Sequence, residues 1–390
     1  KSFEEYAATR VIPARINAPE GLCSRHHPSI AATGAVCRLP FASSERSLYP
    51  ACSALVSRLR NSQQLATRSR ANFEPAARGV DNKGGEVMLN PTEILADALG
   101  KELAAAYTRA FSGREPRYTE IIAEAARLVL ERIGSSDALY HSAEHTAMVA
   151  LVGQDILRGE RLRRDVTAED WLHFTLATLT HDVGYVRGIC RDDRPDGYVI
   201  DATGKTVSLP RGASDAFLGP WHVERSKIAV RERFGGHPFI DSDRICGAIE
   251  FTRFPVPEDE DYAETDTEAG LLRAADLIGQ LADPFYPRKL NALFHEFEEI
   301  GCNERLGYAS PADVADGYPR FFWSKVEPFI GDALGYLDLT VEGRQWTANL
   351  YCNVFEIEHG RRRMGPHNER QSARRPDWPL GSAQSAPSRL

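Results

Sequence analysis

The chain has 390 residues, 42% of them hydrophobic, which is enough for a substantial core in one large or two ordinary domains. No run approaches the ~18 consecutive apolar residues that a membrane helix needs, so no membrane partner is expected. The formal charge of −8 is uneven: residues 1–87 carry twelve Lys/Arg against seven Asp/Glu and residues 361–390 seven against two, leaving about −18 on residues 88–360. An acidic body of that kind repels nucleic-acid backbones and attracts cations, so no nucleic-acid partner is expected either.

Residues 1–87 keep neither a 3.6- nor a 2.0-residue apolar period and scatter Ser, Arg, Ala and Pro throughout, which predicts a disordered or spurious extension. The texture changes at Met88, the first methionine. The natural start is expected there, with an organellar leader as the alternative. From Asn90 helical patterns dominate, opening on the helix-start signal Asn90-Pro91-Thr92-Glu93. Helices are predicted over 91–112, 116–134, 137–158, 167–180, 221–234, 241–252, 264–282, 288–300, 319–338 and 342–357. The exception is 187–219, where Tyr198 to Leu209 reads as two short strands around a Thr-Gly turn. An insertion of that length in a compact domain predicts a lid or binding loop. The tail 361–390 is basic, poor in apolar residues and expected to be disordered. The fold class is therefore all-α, one helical domain over 88–360 with a lid-like insertion containing a short β-hairpin. The seven cysteines form no CxxC pair, which suits a reducing cytoplasm.

Eleven histidines in 390 residues make clustered ones informative. His141 and His145 lie four apart in a predicted helix, hence on one face. His181-Asp182 closes the apolar run Leu176–Thr180 and is followed by Val183-Gly184. Asp276 stands in the middle of the apolar segment 264–282. Burying an imidazole beside a carboxylate is expensive unless a cation or hydrogen bonds compensate. Three such sites on three helices predict convergence on a metal, and neutral imidazoles with carboxylates suit Zn, Fe or Mn rather than a thiolate zinc. His173, in an apolar stretch, reads as core; His237, beside Gly235-Gly236 and Pro238, reads as loop.

The segments Tyr140-His141-Ser142-Ala143-Glu144-His145, Leu179-Thr180-His181-Asp182-Val183-Gly184-Tyr185 and Arg273-Ala274-Ala275-Asp276-Leu277-Ile278-Gly279 resemble, in order and setting, the YHxxxH, HD and ADL motifs of the HD-domain metal-dependent phosphohydrolases. The similarity runs over about 135–335 and is greatest to the cyclic-nucleotide phosphodiesterases. It implies one or two divalent ions (Zn, Fe, Mn or Mg) held by His145, His181, Asp182 and Asp276, with Asp182 bridging. A hydroxide between two cations would be the nucleophile and His141 the proton donor to the leaving oxygen. Glu224 matches a Glu that meets metal-bound waters in those enzymes, and His222 reads as a ligand or phosphate contact.

Three departures stand out. Tyr185 occupies the second histidine place of HDxxH, and Ser226 and Lys227 stand where the family has a His pair after its Glu. Tyr318 replaces the purine-clamping Gln ahead of Phe321, Phe322 and Trp323, which read as a stacking wall or as core. His222, Tyr185 and Tyr318 are thus the candidate substrate contacts. The expected partner is a small phosphoester, by the resemblance a nucleotide, cleaved in the manner of a phosphodiesterase. A nucleotide phosphomonoesterase or pyrophosphohydrolase, and a non-catalytic metal-binding sensor, stay open as alternatives.

Overall fold

The computed structural model describes residues 90–360, and the expectations for 1–87 and 361–390 lie outside the described residues. Twelve α-helices run through the described chain: α1 Pro91–Phe111, α2 Pro116–Ile133, α3 Ala143–Glu160, α4 Ala168–Thr180, α5 His222–Phe234, α6 Ser242–Glu250, α7 Glu268–Leu281, α8 Tyr286–Glu299, α9 Cys302–Leu306, α10 Pro311–Phe321, α11 Gly331–Leu337 and α12 Val341–Glu358. The protein is all-α apart from one two-stranded antiparallel hairpin, β1 Tyr198–Val199 against β2 Thr206–Val207. No helix among the described residues is long and apolar enough to cross a membrane.

Local chemistry accounts for many of the helix ends. Asn90 accepts from the Thr92 N–H at the start of α1, and Thr167 and Asp170 form a reciprocal capping box on α4. On α2 the buried residues Ile122, Ala125, Ala126, Val129, Leu130 and Ile133 fall on one stripe, as an amphipathic helix requires. The hairpin pairs Tyr198 with Val207 and Val199 with Thr206 across Asp201–Gly204. Gly204 takes φ +81° there, and Asp201 Oδ1 accepts from the Thr203 and Lys205 N–H groups at 2.9 and 3.2 Å.

Two helix expectations need correction. The helix expected from 137 starts only at Ala143, because the Tyr140 and His141 N–H groups donate to Glu296 Oε1 (2.6 and 3.2 Å) instead of entering a helix. The helix expected over 319–338 is broken into the end of α10, a π-turn at Phe322–Val326, a 3₁₀ turn at Glu327–Phe329 and α11. Pro328 has no N–H to donate and disfavours helical geometry at the residue before it.

α3 is the central helix, flanked by α4, α7 and α11. α7 approaches it backbone to backbone: a Cβ on Gly279 would lie 2.9 Å from Val149 Cα and 3.0 Å from Val149 N. Gly279 is about one turn beyond Asp276 and Val149 one turn beyond His145, so this contact sets how near those two side chains come. Gly279→Leu should therefore destabilise the fold by at least ~1–3 kcal/mol, the usual penalty of overpacking, with Gly279→Ala affected less. Urea unfolding checks this, and an unchanged midpoint for the Leu variant would refute the close-approach account.

Candidate metal centre

Three helices deliver four side chains to one point. His145 comes from the first turn of α3, Asp276 from the middle of α7, and His181-Asp182 from the C-terminal end of α4. His145 Nε2 stands 3.2 Å from Asp182 Oδ2 and 3.3 Å from Asp276 Oδ1. His181 Nε2 stands 3.2 and 3.6 Å from the same two atoms. One ligand atom each from His145, His181 and Asp276 falls within 4.8 Å of the others, a group able to hold a metal ion.

The hydrogen bonding fits a cation. His181 Nδ1–H donates to Thr178 O at 2.8 Å, which leaves the Nε2 lone pair directed at the carboxylates. Both His145 Nε2 and His181 Nε2 are buried without a hydrogen-bond partner. Buried polar atoms are almost always satisfied, so two orphaned imidazole nitrogens beside the buried carboxylate of Asp182 and the half-buried one of Asp276 match what a divalent ion completes. Without a cation the charges must be balanced by protons. Burial alone would lower the histidines, yet the adjacent carboxylates of Asp182 and Asp276 carry His145 up to about 9 and raise His181 well above its ordinary value. Burial likewise opposes ionisation of Asp182 and Asp276, but the facing histidines hold both carboxyls below the usual range.

His141 lies in the bend before α3, not on the helix as expected, and is held by a residue the sequence did not single out. Its Nδ1 is 2.6 Å from Glu296 Oε2, while Glu296 Oε1 takes the two backbone N–H groups. Burial opposes ionisation of Glu296, but the His141 charge and these hydrogen bonds keep its carboxyl below the ordinary value. A signal for Glu296 was present: the buried residues of α8 are Tyr286, Leu290, Leu293 and Glu296, an acid at the next position of an apolar stripe. The ring of His141 stacks on Tyr185 (4.2 Å between centroids), which stacks in turn on His222 (4.7 Å). The Tyr185 hydroxyl sits 3.3 Å from His141 Nε2. His222 donates through Nδ1 to Gly219 O at 2.6 Å and turns Nε2 toward Asp182 Oδ1, 3.7 Å away. Burial lowers the His222 imidazole, favouring its neutral form.

The other sequence candidates stand apart. Glu224, in the first turn of α5, is instead engaged by Lys227 (Nζ to Oε1 3.0 Å) and by Arg253. Tyr318 is 2% exposed and packs on Tyr286 and Phe322, so its expected place in a substrate cleft is corrected to the core. Phe322 is core too, Phe321 packs on Phe254, and Trp323 is partly exposed against Tyr351. His173 is core as read, with Nδ1 donating to Glu169 O and Nε2 accepting from the Asp241 N–H.

The turn that carries His181-Asp182 is clamped by α5. Ser226 Oγ donates to His181 O at 2.6 Å and accepts the Gly184 N–H at 2.8 Å. Arg225, fully buried, donates to Gly184 O, Val186 O and Val199 O and pairs with both oxygens of Asp193 at 3.0 and 2.9 Å. The insertion expected to act as a lid is thus tied to the turn at Asp193 and Val199. It is also tied at its far end, where Asp215 pairs with Arg187 and the Ser214 hydroxyl donates to Glu299 at 2.7 Å.

Residues 89–360 match the model of the Npun_R2479-like family, and the chain belongs to that family. No curated protein matches it.

The charge balance makes a pH prediction. Protonated His145 stabilises the metal-free fold fully below about pH 6.5, the ordinary histidine value, and that contribution is lost as pH rises through about 9; His181, also raised, acts in the same direction. A metal ion needs the deprotonated imidazoles, so its stabilisation grows over the same window. The melting temperature of chelator-treated protein should therefore fall between pH 6.5 and 9 relative to metal-loaded protein. A gap between the two that stays constant across this range would contradict the cluster's role.

Proposed function

We propose that this member of the Npun_R2479-like family is a metal-dependent phosphohydrolase acting in the manner of the HD-domain enzymes on a small phosphoester. The observation that carries the reading is the pairing of two orphaned imidazole nitrogens facing Asp182 and Asp276 with a separate histidine nearby backed by a buried carboxylate. His145, His181, Asp182 and Asp276 would hold the first ion. Asp182 Oδ1 and His222 Nε2, 3.7 Å apart, are the nearest groups for a second. When bound, such ions supply positive charge for the phosphoryl oxygens and lower the pKa of water.

The remaining work falls to the chain's own groups. Glu296 accepts the Nδ1–H of His141, so Nε2 is the ring nitrogen left to give a proton to a departing oxygen. Glu296 also supplies the counter-charge for the imidazolium. Tyr185 fixes the ring plane by stacking and brings its hydroxyl to Nε2. Tyr185 stays protonated: burial first, then Asp182, Glu296 and Asp276, raises its phenol well above the ordinary value. It can therefore donate to a bound phosphate oxygen or to Nε2, but it cannot act as a base at neutral pH.

Cyclic 3′,5′-nucleotides are the first substrate class to try, on the resemblance of the motifs. The burial of Tyr318 removes the residue that stood in the purine-clamp place, so base recognition, if present, lies elsewhere. A nucleotide phosphomonoesterase or pyrophosphohydrolase uses the same metal arrangement. A silent sensor is disfavoured, because such a module has no use for the His141–Glu296 pair.

Leaving-group dependence tests the assignment. His141→Ala should leave metal content near wild type while kcat falls by ~10²–10⁴ on an alkoxide-leaving phosphodiester. Glu296→Gln should lose about 10–100-fold, as removing an orienting partner does. Both losses should shrink for a nitrophenyl phosphodiester, whose phenolate departs without protonation. Equal losses on both substrates would mean that His141 positions phosphate instead of donating a proton.

A further inference from the structure

A hollow of about 700 Å³ lies between α2, the segment 188–193 and the end of α5 with the loop that follows it to Ile240. It is separate from the metal cleft: His141, His145, His181, Asp182, His222 and Asp276 do not line it. Its lining is largely apolar, with Leu128, Val129, Val183, Ile189, Val230 and Ile240 among its walls. Its volume is in the range of small-molecule sites, roughly 300–1,000 Å³.

The charge at its margin is unusual for this molecule. Arg132, Arg191 and Arg233 line the hollow, and none is ion-paired among the described residues. Of the acids that line it, Asp193 is paired with the buried Arg225, while Glu124 and Glu232 keep their charge, Glu232 accepting only the backbone N–H of Arg191 at 2.8 Å. Three guanidiniums against these two carboxylates leave the hollow slightly net positive, on a body carrying about −18. Guanidinium presents a planar fork of donors that fits carboxylate and phosphate groups.

We propose that this hollow binds an amphipathic organic anion, an unbranched aliphatic chain ending in a carboxylate or phosphate. The chain would lie against Leu128, Val129 and Val230, with the head among Arg132, Arg191 and Arg233. Occupancy bears on the metal turn, since Thr180 and Val183, which bracket His181-Asp182, both line the hollow. Cys190, also in its wall, donates to Arg225 O, the backbone of the residue that clamps the turn. The site stands independently of the phosphohydrolase reading, because its test measures binding and not turnover.

Calorimetric titration of the full chain with laurate, below its micelle concentration, should show saturable one-to-one binding. Reversing Arg191→Glu and Arg233→Glu together should weaken it by about tenfold or more, as loss of charge-assisted hydrogen bonds does. Leu128→Trp, at a half-buried wall position, should block it by filling the hollow. Dodecyl phosphate identifies the head: binding tighter than laurate assigns a phosphate, weaker binding a carboxylate. Amide exchange should slow over 180–190 with laurate bound. Equal binding of dodecyltrimethylammonium, binding unaffected by these substitutions, or protection only elsewhere would overturn the proposal. So would capture by phosphatidylglycerol vesicles with no binding of free laurate, which would make the face a membrane-docking surface.

Discussion

The close seat of α5 on the His181–Val186 turn is the constraint on which the rest of the site depends. A Cβ on Gly184 would lie 1.9 Å from His222 O and 2.7 Å from Ser226 N, so only glycine lets the helix come this near. The turn is irregular and buried, and its carbonyls and N–H groups need partners inside the protein. Ser226 and Arg225 provide them from adjacent positions on α5. A buried guanidinium is costly unless its donors are used, and Arg225 directs them at three carbonyls and one carboxylate. The same helix start carries His222, so one packing event fixes the turn, the insertion through Asp193 and Val199, and the imidazole facing Asp182.

That rigidity has to contain an arrangement that works against stability. Two carboxylates and two imidazoles sit together in a largely apolar interior, with His181 fully buried and His145 at 5% exposure. With neutral imidazoles the cluster holds two negative charges, which burial disfavours. Protons or a cation must balance them, and only the cation also satisfies both orphaned nitrogens. The close approach of α7 to α3 at Gly279 and Val149 prevents relief by separation. The fold therefore keeps the four side chains together whether or not their charges are balanced, as preorganised binding requires.

Much of this was legible in the sequence, because helical periodicity and sparse histidines are strong local signals. The start of α1 followed from Asn90-Pro91, and the polar residues in apolar segments at His181, Asp182 and Asp276 marked the convergence. What escaped depends on partners distant in sequence. Tyr140 and His141 read as helix because nothing nearby shows that Glu296, 156 and 155 residues away, takes their N–H groups. Arg225 carried no signal of its own, because its place is defined by the carbonyls of Gly184, Val186 and Val199, all distant in sequence. Tyr318 read as a cleft residue by alignment of motifs, and the packing of α10 on α8 and α12 places it inside.

The bend before α3 explains how neighbouring histidines can hold different duties. On one continuous helix, His141 and His145 would share a face and turn toward the same centre. Ending the helix at Ala143 frees the backbone of His141 to dock on Glu296, and the same carboxylate then takes its Nδ1. Main chain and ring are thus held by one residue of α8, independently of the axis of α3 that carries His145. The imidazole is left stacked on Tyr185 with 19% of its side chain exposed, open to the cleft, while His145 is enclosed. In the proposed mechanism a proton donor would need that access, whereas a metal ligand would need enclosure. The departure from helical geometry at 137–142 is what allows both within five residues.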